Sequence, residues 1–161
     1  MFIEFGQKEL GLKLLLPARL QKKIHNHVEK YFPKESGGIF LGHYADEGKI
    51  AIIDSIVIPK LFDSSAINFT RRVDDINMII KKQYEKSNGC IDYIGEWHSH
   101  PNCSNNFSEQ DYKTMQEISR DANVKITTPI LQIVSVYEGL LEDQVYVFHK
   151  NKLFPYELYK H

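Results

Sequence analysis

A strand that ends in proline, followed a few residues later by the start of an amphipathic helix, constrains this chain more than any other feature. Cys90-Ile91-Asp92-Tyr93-Ile94-Gly95-Glu96 follows an Asn88-Gly89 turn and is rich in apolar and aromatic residues, so it reads as a strand. The run continues through Trp97-His98-Ser99-His100-Pro101, and Pro101 ends the ladder because it has no N–H to donate. Side chains two apart on a strand share a face, so His98 and His100 point the same way. Ser108 then heads a helical pattern in which Tyr112, Met115 and Ile118 recur three apart. Asp111 lies one turn inside that helix, on the side of Ser108. A strand end and a helix start placed in this way can converge two imidazoles and a carboxylate. Two His and one carboxylate with a fourth position open form a catalytic zinc set.

Each fragment also has a plainer reading. His-x-His on a half-buried strand is usually a pair of hydrogen-bonded imidazoles, and Ser-x-x-Asp before an apolar run is close to a capping box. The combination is more specific. His-x-His, seven residues, Ser, two residues and Asp, with Pro101 directly after the second His, resembles the signature of the JAMM (MPN+) metalloproteases position for position. Glu35-Ser36-Gly37-Gly38-Ile39-Phe40-Leu41-Gly42 resembles the family's other motif, a Glu ahead of a small-residue strand. The resemblance thus covers most of the chain. It implies the α/β JAB/MPN (cytidine-deaminase-like) fold, a curved mixed β-sheet flanked by helices, as a single domain over residues 1–161. It also implies roles: His98, His100 and Asp111 bind one zinc ion per chain, Glu35 is the general base, and Ser108 lies beside the oxyanion.

The wording Gly95-Glu96-Trp97-His98-Ser99-His100-Pro101 is similar to the small prokaryotic JAB enzymes, in particular the deconjugating peptidases of bacterial anti-phage operons. That similarity implies a protein substrate with a ubiquitin-like or nucleotidyltransferase C-terminal tail, and an E1/E2-like ligase as a further partner. Polyubiquitin specificity is not expected, because the helix after Asp111 runs almost directly into the next strand and leaves little room for a long insertion. Glu96 is a rival base, two residues before His98 on the same face; a residue beside a ligand more often supports that ligand or faces solvent. Cys103 is a loop thiol, since a fourth protein ligand would close the site. The alternatives are a peptidase trimming a sulfur-carrier or ubiquitin-like C-terminus, a non-catalytic MPN scaffold, and a DNA-repair-associated relative.

Composition narrows the choice among these. The chain has 161 residues, enough to bury about two thirds of its unfolded surface as one domain. A formal net charge of −1 gives no basic stripe for nucleic acid and no attraction to an anionic membrane. No apolar run reaches membrane length and the first residues lack a signal-peptide pattern. Cys90 and Cys103 do not make a disulfide framework, so a cytosolic, reduced protein is expected.

The rest of the chain alternates short apolar runs with helical periods. Phe2–Phe5 and Leu10–Leu16 read as strands joined at Gly6-Gln7-Lys8, and Pro17 as the first residue of a helix carrying Leu20, Ile24, Val28 and Tyr31 inward. His25 and His27 on that helix read as structural. Ile39–Leu41 is a buried strand, Asp46–Lys49 a turn, and Ile50–Ile58 the returning strand. Leu61–Ser65 reads as a loop and Ala66–Thr70 as a short strand. Arg71 and Arg72 read as solvated charges or as a docking patch for an acidic partner. Val73, Ile76, Ile80 and Tyr84 mark a second helix ended by Asn88-Gly89. Ile130–Tyr137 and Val145–Lys150 read as strands across a turn at Glu138-Gly139, and Phe154–His161 as a tail that could pair.

Overall fold

The N-terminal apolar residues form a hairpin, β1 (Phe2–Gln7) with β2 (Leu12–Pro17). Its turn falls at residues 8–11, later than the sequence suggested, because Gly11 supplies the left-handed conformation at φ +64°. Pro17 caps α1 (Ala18–Tyr31) rather than opening it, and Leu20, Ile24 and Val28 are buried along one side. Next come β3 (Gly37–Ala45) and β4 (Ile50–Val57). Two dipeptides, β5 (Ser64–Ser65) and β6 (Asn68–Phe69), pair antiparallel. This computed structural model describes residues 1–59, 64–65, 68–69 and 73–159. The expected strand Ala66–Thr70 therefore meets the structure only at β6, and Arg71 and Arg72 lie outside the described residues.

Downstream, α2 (Val73–Lys86) leads to β7 (Asp92–Pro101), α3 (Glu109–Arg120), β8 (Ile130–Tyr137), β9 (Leu140–His149), β10 (Lys152–Pro155) and β11 (Glu157–Leu158). Residues 121–129 separate α3 from β8, a longer connection than the almost direct passage expected from the sequence.

One mixed sheet of nine strands runs in the order β10-β9-β8-β7-β3-β4-β2-β1-β11. Its two outer strands, β10 and β11, are separated in sequence by Tyr156 alone. One residue spans only about 3.8 Å from Cα to Cα, so the two edges of the sheet must approach each other. The sheet is consequently curved almost into a barrel. Tyr156, 5% exposed, sits at the seam, where its N–H donates to the Val145 carbonyl at 2.8 Å.

The curvature explains the core. The largest apolar cluster joins Leu20, Ile24 and Val28 of α1 to strand residues from Leu14 on β2 to Val147 on β9, so the sheet wraps around α1. Two smaller clusters lie on the other face. Met115 of α3 packs on Leu131, Ile133, Tyr146 and Phe148, and Ile76 of α2 packs on Ile39 and Leu41. No helix among the described residues is long and apolar enough to cross a membrane.

Candidate metal centre

The site is built on β7, which pairs antiparallel with β3 and parallel with β8. The β3–β7 register slips once: Phe40 pairs with Gly95 but Leu41 with Tyr93, leaving Ile94 as the extra residue of a β-bulge. The bulge resets which side chains share a face. Tyr93 and Glu96, three apart, meet on the α2 side, where the Tyr93 hydroxyl donates to Glu96 Oε1 at 3.2 Å. Ile94 and Trp97 both enter the core around α1. Gly95 makes this possible: its φ is +159°, and a Cβ there would lie 2.2 Å from the Ile130 carbonyl oxygen. Alternation then resumes, placing His98 and His100 together on the face opposite Trp97.

The partner comes from α3. Ser108 caps the helix by accepting from the Asp111 N–H at 3.1 Å, and the Asp111 carboxylate accepts from the Ser108 N–H at 2.6 Å. The capping box and the carboxylate position are therefore one arrangement, and the plain reading of Ser-x-x-Asp holds alongside the sharper one. It turns Asp111 toward the strand end. His98 Nε2 lies 3.0 Å from Asp111 Oδ1, His100 Nε2 lies 3.4 Å from Asp111 Oδ2, and the two Nε2 atoms are 3.1 Å apart. Donors 2.0–2.1 Å from a tetrahedral zinc stand about 3.3 Å from one another, close to the separation of the two Nε2 atoms, and the Asp111 carboxylate lies near enough to offer the third donor. Cys103, exposed in the intervening loop, does not belong to this group.

The surroundings favour a cation. Burial raises the Asp111 carboxyl, yet bonds from His100 and His98 outweigh it and hold the group far below the usual carboxylate range. Burial lowers His100, but its bonds to Asp111 and to the Ser104 carbonyl carry it above the usual imidazole value. That carbonyl, 3.0 Å from His100 Nδ1, can only accept, so Nδ1 keeps a proton throughout, and it is Nε2 that gives up its proton, and then offers a lone pair to the cluster, when the ring becomes neutral.

Glu35 stands just before β3, whose Gly37 pairs with His98. Gly37 permits this approach, because a Cβ there would meet the Trp97 carbonyl oxygen at 2.6 Å. Burial raises the Glu35 carboxyl above its ordinary value, while His98 and His100 pull it down and Asp111 pushes it up, which puts it within electrostatic reach of all three. Glu96 is placed differently. It is 4% exposed, bonded to Tyr93, and lines a cavity of about 460 Å³ between α2 and the far end of α3. Beside His100, on the other flank, Asn102, Cys103, Ser104, Tyr137 and Leu140 line a groove of about 350 Å³.

Residues 17–144 match the family model described as prokaryotic homologs of the JAB domain. The chain belongs to this family. Among curated relatives of this JAB chain, a CD-NTase/cGAS isopeptidase of Enterobacter hormaechei is 26% identical over 101 residues, 62% of this chain and 54% of the relative. The match thus spans about half the length of that protein. A probable metalloprotease, y4qB, of Sinorhizobium fredii is 26% identical over 123 residues, 72% of this chain and 71% of the relative. Solved structures agree on the fold. A Desulfitobacterium hafniense protein superposes with a TM-score of 0.63 at 15% identity, covering 88% of this chain and 87% of its own. A Salinibacter ruber protein superposes at 0.54 with 19% identity, covering 89% and 86%.

Sequence reasoning missed one polar pair beside the cluster, Ser36 with Ser99, 63 positions apart. Only the His-Ser-His spacing hinted at it, by turning Ser99 to the face opposite the two imidazoles.

Proposed function

We propose that this JAB chain is a zinc-dependent isopeptidase that cleaves the amide between a protein's C-terminal tail and its acceptor amine. The observation that carries the reading is the convergence of His98, His100 and Asp111 at 3.0–3.4 Å with Glu35 beside them. Two neutral donors and one anion suit zinc, with one position left for water or substrate. Bound there, zinc would lower the pKa of a coordinated water to about 7 and polarise the scissile carbonyl. Glu35 takes the water proton and delivers it to the leaving amine, a task suited to a carboxylate that burial raises above its ordinary value. Ser108, whose oxygen already accepts from the Asp111 N–H, keeps its hydroxyl proton for the oxyanion. His100 is held by the Ser104 carbonyl, and Asp111 by the helix cap.

The relative named a CD-NTase/cGAS isopeptidase supports a protein conjugate as the substrate class. We assign the same kind of target here: a nucleotidyltransferase or ubiquitin-like tail joined by an E1/E2-like ligase to an acceptor, removed in anti-phage defence. Residues 1–161 act as one unit in this reading.

The test begins with metal content, expected at about one zinc per chain, and absent from His98→Ala or His100→Ala. The zinc-loaded protein should cleave a synthetic isopeptide in which a glycine carboxyl is joined to a lysine ε-amine, and chelation should stop it. Metal-free protein that still cleaves would end the proposal, and zinc-loaded protein inert on every isopeptide would favour a binding scaffold.

A further inference from the structure

The β3–β7 ladder ends on a rung that is half side chain. The Ser99 N–H donates to the Ser36 carbonyl at 2.8 Å, as an antiparallel pair requires. The returning bond does not go to the Ser99 carbonyl. Instead the Ser36 N–H donates to Ser99 Oγ at 2.9 Å. Both serines are 1% exposed, and their hydroxyl oxygens lie 3.5 Å apart on the buried side of the sheet.

Exchanging a carbonyl acceptor for a hydroxyl has a geometric effect. A ladder carbonyl lies in the plane of the sheet, whereas a side-chain oxygen stands off it. A backbone N–H drawn toward that oxygen tilts its peptide, so the chain before Ser36 leaves the strand direction at this residue. Ser36 shares the buried face of Ser99, and its neighbour Glu35, one residue further out and ahead of β3, lies within electrostatic reach of His98, His100 and Asp111. On the other side, the Lys34 N–H donates to the Tyr31 carbonyl at 2.8 Å. Glu35 is thereby strung between two anchors, one at the end of α1 and one on β7 between the two imidazoles.

We propose that Ser99 is a positioning residue for Glu35: its hydroxyl, through the Ser36 amide, sets where the carboxylate stands over the His98, His100 and Asp111 cluster. A proton acceptor displaced by about 1 Å forfeits much of its advantage, so a residue that touches neither substrate nor cluster can still govern turnover. The inference rests on Glu35 as base, and the two can fail separately.

The test compares wild type, Ser99→Ala, Ser99→Thr and Glu35→Gln, using the synthetic isopeptide and NMR of the same proteins. In wild type the Ser36 amide should resist hydrogen exchange, and the Glu35 carboxyl carbon should shift when zinc is added. Ser99→Ala should lower kcat by about tenfold or more, with KM and zinc content unchanged. It should also expose the Ser36 amide to exchange and shrink the zinc-induced shift of Glu35. Ser99→Thr keeps the hydroxyl and should restore most of all three. A Ser99→Ala enzyme with wild-type kcat, beside an inactive Glu35→Gln, would overturn the positioning role alone. An active Glu35→Gln would overturn the base itself. Should Ser99→Ala fail to fold, an unprotected Ser36 amide in wild type still refutes the inference, because the proposed bond would then be absent from the native protein.

Discussion

Glu35→Gln keeps the size of the side chain but removes its ability to take a proton. Turnover should fall by roughly a hundredfold or more while zinc stays bound, as measured by single-turnover cleavage and metal analysis. Glu96→Gln should act elsewhere. Its carboxylate is buried and bonded to Tyr93 away from the cluster, so the change should appear as about 1 kcal/mol of thermal stability, with turnover far less affected. A reversal of the two phenotypes would exchange their assignments. Metal affinity should follow proton competition, since zinc binds His only in its neutral form. With His100 raised and Asp111 held low, His100 is the competing acid near neutrality. Zinc affinity should climb about tenfold per pH unit up to the raised His100 value and then level off, a slope that competition titrations can read. At this scale the strand period put His98 and His100 on one face and the helix period put Asp111 beside Ser108, whereas joining the three rested on the resemblance to the JAMM motif. Neither period could carry the Ser36–Ser99 rung, which depends on the pairing of remote strands.

At the level of elements, α3 begins with a serine that caps it and to which the proposed function assigns a second purpose. Ser108→Ala removes the cap, costing about 1 kcal/mol, and also removes the hydroxyl assigned to the oxyanion. Ser108→Gly separates the two, because glycine at a cap costs only a few tenths of a kcal/mol. Denaturation should find the Gly variant close to wild type, while cleavage assays find both variants slowed about equally. A Gly variant with full activity would remove Ser108 from the chemistry. Element types were legible because apolar periods differ between strand and helix. Ile130–Tyr137 emerges with the bounds read from its residues, and α2 ends just short of Asn88-Gly89. The bulge at Ile94 was not legible, because Gly95 inside a strand pattern signals a close approach without revealing that Ile130 is what approaches.

For the molecule as a whole, α1 is tied to the far strands by a polar group within the wrapped sheet. His25 Nε2 lies 2.6 Å from Asp143 Oδ2 on β9, and Gln132 on β8 donates to Asp143 Oδ1 at 2.8 Å. The bond to Asp143 raises His25 above its ordinary value, against the opposing effect of burial. A folded pKa above the unfolded one of about 6.5 means that this stabilisation is complete below pH 6.5 and fades as pH rises through the folded value. Melting curves should therefore show wild type losing its margin over His25→Gln as pH rises above about 6.5 and through the folded value. A constant margin would mean that the pair acts only through its neutral hydrogen bonds. No partner for His25 was legible in its neighbourhood, because Asp143 lies 118 positions away. Nor could the sequence reveal the seam at Tyr156, since the approach of the two sheet edges follows from curvature summed over every strand.

His100 and Asp111 bracket residues 101–110, the stretch whose Asn102, Cys103 and Ser104 wall the groove beside the cluster. An ion shared by both ends would act as a removable cross-link on that stretch. By the chain-entropy arithmetic used for a disulfide, closing so short a loop is worth about 2–3 kcal/mol. Withdrawing the ion would therefore loosen a wall of the groove and unfasten the first turn of α3 along with stopping the chemistry. A chelated protein is then a poor stand-in for an inactive one in binding experiments, and a Glu35→Gln protein with its metal in place is the better substrate trap.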